Sequence, residues 1–140
     1  MAVKQVSIFV ENTTGRLAQL TQILADNDID IRAAVIAETS DFGILRLIVK
    51  EPEKTKEILN KNHFNATLSD IVCVSISDKA GSFNDILHML ANENIPVKYI
   101  YSTVTSAQGE AIIMMKFPDA VQAEKILKAN GIKMYQLEEL

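Results

Sequence analysis

Val6-Ser7-Ile8-Phe9-Val10-Glu11-Asn12-Thr13-Thr14-Gly15-Arg16-Leu17 decides the fold, because the chain writes this stretch twice: at an offset of 66 stands Val72-Cys73-Val74-Ser75-Ile76-Ser77-Asp78-Lys79-Ala80-Gly81-Ser82-Phe83. Val6, Ile8 and Val10 alternate with Ser7, Phe9 and Glu11, the period of two of a strand with one buried face. Asn12 to Gly15 then supplies turn and helix-start chemistry. Leu17, Leu20, Leu24 and Asn27 follow on one helical face, with Ile23 beside them.

Working outward, the same offset aligns Leu24-Ala25 with Leu90-Ala91, Ile29 with Ile95, Thr39-Ser40 with Thr105-Ser106, Gly43 with Gly109, Lys50 with Lys116 and Pro52 with Pro118. Beyond the prolines the offset becomes 68, Ile58-Leu59 matching Ile126-Leu127, so the second half carries two extra residues around its second helix. Ile29, Ile31, Ala33, Val35 and Ala37 alternate as a second strand. Residues 40–43 turn the chain, and 44–50 return as a hairpin partner. Pro52 suits the first turn of a helix that ends near Asn62. Residues 64–68 form a short closing strand, and after Ser69-Asp70 the next unit begins; its own closing strand is expected over 134–137.

The order β-α-β-β-α-β therefore occurs twice, which predicts an α+β protein of two ferredoxin-like units, 1–69 and 70–140, each a four-stranded antiparallel sheet with both helices on one face. A unit of about 70 residues buries only some 60% of its unfolded surface. Ile44/Ile48 with Leu45/Leu47/Val49, and Ile112/Met114 with Ile113/Met115, put apolar residues on both faces of these strands, a pattern normal for strands covered on both sides. Packing of unit on unit or on a second chain is expected, with a homodimer as the simplest case.

Composition narrows the function. The 140 residues are 48% hydrophobic and 23% charged, which excludes the low-hydrophobicity signature of disorder. A net charge of -4 gives phosphate backbones little to attract, so nucleic acid is not an expected partner. Cys73 is the one cysteine and can form no internal disulfide, which fits a reducing cytoplasm. The N-terminus shows no secretory h-region, and no apolar run approaches the roughly 20 residues that cross a bilayer; a soluble cytoplasmic protein is expected.

Glu11-Asn12-Thr13-Thr14-Gly15-Arg16-Leu17, a helix, then Ile29-Asp30-Ile31 resembles the signature of the ACT domain, the small-molecule-sensing module of amino-acid metabolism. Ser77-Asp78-Lys79-Ala80-Gly81-Ser82-Phe83 and Ile95-Pro96-Val97 resemble it again. Thr14 and Ala80 stand where the family usually has proline, and Asp30 and Pro96 where asparagine is frequent. Free-standing tandem ACT proteins look most similar. The resemblance implies allosteric regulation by an amino acid bound between ACT units. Carried over residue by residue, the site would comprise Asn12, Gly15, Arg16, Leu17 and Asp30 in the first unit, and Asp78, Gly81, Ser82 and Phe83 in the second.

The residues themselves offer matching chemistry. Glycine where strand becomes helix admits a positive φ and close approach to the backbone. The free N–H groups of a helix start favour a carboxylate. Asn12 and Asp78 could hold an ammonium group, or could be plain turn or capping residues. The second unit is the poorer candidate, since Pro96 has no N–H.

Elsewhere the chemistry is sparse. Asp85 and His88 stand i, i+3 on a helix without a nucleophile, and Asp41-Phe42-Gly43 reads as a hairpin turn. Arg46 suits a half-covered sheet face, and Tyr99 and Tyr101 suit packing. His63, His88 and Cys73 make no metal site, Cys73 being expected on the sheet's other side as inert packing. No catalytic group, metal or cofactor is implied. The expected function is a non-catalytic amino-acid-binding regulator, with a metabolic enzyme as a candidate partner; the alternative is a purely structural interaction module or enzyme subunit with no ligand of its own.

Overall fold

The computed structural model describes residues 2–104 and 110–140. By their contacts these divide into a first unit, Lys4–Ser69, and a second, Asp70–Leu140 with the N-terminal residues up to Val3.

The first unit runs β1 (Val3–Glu11), α1 (Arg16–Asp26), β2 (Ile31–Glu38), β3 (Phe42–Val49), α2 (Pro52–Lys61) and the start of β4 (Asn65–Ser77). Its strands are ordered β2-β3-β1-β4, so β3 lies between β1 and β2, the split βαβ arrangement. β3 is antiparallel to both neighbours, pairing Ile8 with Leu45 and Glu11 with Phe42 on one side, and Ile36 with Leu45 and Glu38 with Gly43 on the other. Val6, Ile8, Val10, Leu45, Leu47 and Val49 meet Leu20 and Leu24 of α1, Leu59 of α2, and Phe64 and Ala66 in one core. Each such Val, Ile, Leu or Phe side chain fully withdrawn from water contributes about 1.5–3 kcal/mol.

The second unit repeats the plan with the rest of β4, then α3 (Ser82–Asn92), β5 (Tyr99–Val104), β6 (Glu110–Lys116), α4 (Ala120–Ala129) and β7 (Met134–Tyr135). β4 pairs with β6 and β7 and β6 with β5, all antiparallel. Its core gathers Val72, Val74, Ile113 and Met115 against Ile86 and Leu90 of α3 and Ala123 and Leu127 of α4.

Four expectations change. Ser69-Asp70 does not end a strand: β4 runs unbroken for 13 residues, with neither glycine nor proline to interrupt it. The Gln5 amide donates to Ser69 Oγ (3.3 Å), and Lys116 Nζ to the Asp70 carbonyl (3.1 Å). The alternation from Ile29 to Ala37 is broken by a register shift between Ile31 and Ala33, so Ile29 belongs to the core and not to β2, and Ile31 is exposed. β7 stops at Tyr135, and Leu137–Glu139 winds into a 3-10 turn. Asn27 lies beyond α1, where its side chain bonds the Ile23 carbonyl (2.8 Å), and Leu17 is 42% exposed, outside the core face.

The two extra residues fall at the start of the second unit's second helix. Pro52 opens α2 directly, whereas Pro118 precedes an N-cap, Asp119, whose side chain accepts from the Gln122 N–H (3.1 Å). No helix among the described residues is long and apolar enough to cross a membrane.

Candidate functional site

The corner between β1 and α1 is formed by backbone. Gly15 takes φ +87 at the N-cap, a conformation that residues with a Cβ adopt at a cost, and nothing lies within 4 Å of where its Cβ would be. Asn12 N–H donates to the Asp41 carbonyl (3.0 Å), Thr13 N–H to Glu11 (2.9 Å) and Arg16 N–H to Thr13 (3.2 Å). No side chain caps α1, and its first turn contains no acidic residue. Among the described residues, the Leu17 and Ala18 N–H groups have no acceptor. These donors at the positive end of the helix dipole form an anion-attracting end.

That end borders a hollow of about 150 Å³. Val10, Leu17 and Ile36 give it apolar walls, Glu11, Asn12, Thr13 and Glu38 give polar ones, and Gly15 and Gly43 leave room. The Asn12 amide Nδ2 donates to the Ser40 carbonyl (3.4 Å), which leaves its Oδ1 to accept. The β1–β3–β2 register brings the far end of β2 to this corner, since Glu11 sits opposite Phe42 and Gly43 opposite Glu38.

Of the sequence candidates in the first unit, the structure brings Asn12, Gly15 and Leu17 into the hollow. Arg16 turns elsewhere: its guanidinium lies 3.9 Å from the centre of the Phe64 ring, and Nη1 donates to Gln19 Oε1 (2.8 Å). Asp30 stands at the opposite end of β2, paired with Arg32 at 3.3 Å and exposed. Val10, Glu11, Thr13, Ile36, Glu38 and Gly43 were missed. Hairpin register was the available signal, because the glycine shared by both halves at 43 and 109 marks the strand that folds back beside the corner.

The second unit has the same corner geometry, with Gly81 at φ +94 and open space beside it. Asp78 and Phe83 are exposed and Ser82 is half-buried. Here the first turn of α3 carries Asp85. The matching hairpin tip, with Thr105, Ser106 and Gly109, lies outside the described residues.

Cys73 is buried, and burial pushes its thiol up to about 12, far from a nucleophile's range. Glu110 is held below the ordinary glutamate value by hydrogen bonds from Tyr135 (2.7 Å) and Ser75, with Lys133 adding a smaller attraction. Tyr101 is buried in β5, as packing requires. Among the described residues, no three His, Cys, Asp or Glu side chains gather as a metal site.

Known proteins match this architecture. The family model described as an ACT domain pair matches residues 1–140. The crystal structure of protein BT0572 from Bacteroides thetaiotaomicron is similar at a TM-score of 0.91 and 34% identity, over 96% of this chain and 92% of that one. The regulatory subunit of aspartate kinase from Thermus thermophilus, in its ligand-free form, has a TM-score of 0.65 at 17% identity over 94% and 92% of the two chains. That from Thermus flavus has 0.67 at 19% over 92% and 90%. These two show the fold alone. No match was found among curated proteins. With a doubled split βαβ fold, a glycine corner in each half and a family match along its whole length, the chain belongs to the ACT-domain family as a pair of ACT domains.

Proposed function

We propose that the chain is a non-catalytic regulatory protein that binds a free amino acid at the glycine corner of its first ACT unit. One observation carries this: a hollow of about 150 Å³ adjoins the uncapped start of α1. The α-carboxylate would accept from the Leu17 and Ala18 N–H groups, while Asn12 Oδ1 and the Glu11 and Glu38 carboxylates would receive the ammonium. Arg16 and Asp30 lie outside this hollow, and a homodimer remains part of the proposal. Asp78, Gly81, Ser82 and Phe83 form the weaker corner of the proposal.

Binding would regulate only if the ligand favours one packed arrangement over another, since equal affinity shifts nothing. A metabolic enzyme is the proposed recipient of that change, in a cytoplasmic setting that suits the single buried thiol of Cys73.

A thermal-shift screen of the twenty amino acids tests this. A ligand present at 100 times its Kd stabilises the native state by about 2.7 kcal/mol, and Asn12→Ala should abolish the response. A flat screen at millimolar concentration would favour the second reading, an interaction module without a ligand. That alternative draws on the exposed ring pair of Phe9 and Phe42, whose centroids lie 5.1 Å apart.

A further inference from the structure

One wall of the hollow is a side chain laid over a glycine. Gly43 is absent from the positive-φ residues, so its backbone does not require glycine. The space beside it is tight: a Cβ at Gly43 would stand 3.0 Å from Ile36 Cδ1 and 3.1 Å from Ile36 Cγ1, closer than side chains normally pack. By contrast, Gly15 and Gly81 have nothing within 4 Å. Ile36 therefore lies down across the backbone of β3, where it lines the hollow with Val10 and Leu17 and stays 43% exposed.

We infer that the Ile36–Gly43 pair sets the size limit of the ligand's side chain, and that the ligand is a small, uncharged α-amino acid of about the size of alanine. This rests on the amino-acid reading above. The hollow's 150 Å³ is about the volume of an engineered apolar cavity that admits benzene, with about six non-hydrogen atoms, as many as alanine has. Glu11 and Glu38 in the lining repel a second carboxylate, so aspartate and glutamate are excluded. Ile36, laid over Gly43, narrows the room left for a long side chain.

Isothermal titration of the full chain with each of the twenty amino acids tests the pair. Wild type should bind alanine at least tenfold more tightly than leucine or aspartate. Ile36→Ala, which opens the wall, should improve leucine relative to alanine by at least fivefold. Gly43→Ala, which pushes Ile36 inward, should weaken alanine at least tenfold. Should Gly43→Ala not fold, the leucine-to-alanine ratio in Ile36→Ala decides. Wild type binding an amino acid but preferring acidic or long side chains, or an unchanged ratio in Ile36→Ala, overturns the size limit and leaves the amino-acid reading standing. Wild type binding none of the twenty overturns both.

Discussion

The two glycine corners share a backbone and differ in what surrounds it. Gly15 and Gly81 both cap an 11-residue helix with left-handed φ, and both have open space beside them. In sequence register, however, Glu11, Asn12, Ile36 and Glu38 of the first unit become Ser77, Asp78, Ser102 and Val104 of the second. Asp85 adds a negative charge to the first turn of α3, where α1 has none, and so already satisfies part of the dipole attraction that an incoming carboxylate would use. A duplicated backbone thus keeps both helix starts alike, while the side chains around them differ.

The other sheet face diverges similarly. Phe9 and Ile44 in the first unit correspond to Ser75 and Glu110 in the second, so an apolar patch becomes a polar network of Ser75, Glu110 and Tyr135. Arg46, half-buried in β3, has the buried Ile112 as its counterpart.

The largest expected effects should not distinguish the units. Leu24 and Leu90 are equivalent and each 1% exposed, so Leu24→Ala and Leu90→Ala should each cost about 2–5 kcal/mol in denaturant unfolding. A gap above about 2 kcal/mol would break the equivalence of the two cores. Next come the corners: Gly15→Ala and Gly81→Ala should each cost roughly 1–2 kcal/mol, because a Cβ meets left-handed strain but no clash. A much larger penalty at one of them would show that the corners are not the same structure.

The smallest effect should belong to the second unit alone. Tyr135 and Ser75 hold Glu110 below its ordinary value of 4.5, so the folded state binds its proton less readily than the unfolded chain. Its contribution to stability is full above that value and fades as pH falls through the folded one. Tyr135→Phe should flatten this acid-side loss of melting temperature slightly; an identical pH profile would contradict the assignment.

Much of this was legible in the chain. Repeat identity and strand period exposed the element order, since Val6, Ile8 and Val10 had to share a face and Leu20 and Leu24 had to cover it. What escaped was tertiary. The register shift near Arg32 and the unbroken course of β4 through Ser69-Asp70 depend on neighbouring strands, which no local pattern records. For the same reason the site was half seen: Asn12, Gly15 and Leu17 are local to the corner, whereas Ile36, Glu38 and Gly43 arrive through hairpin pairing.

Amide chemical shifts, followed by NMR while a mixture of the twenty amino acids is titrated into the protein, test the difference between the corners most directly. Saturable shifts at the Leu17 and Ala18 N–H groups, with Phe83 and Asn84 unmoved, are the predicted result. Silence at Leu17 and Ala18, or movement confined to Phe83 and Asn84, would contradict it.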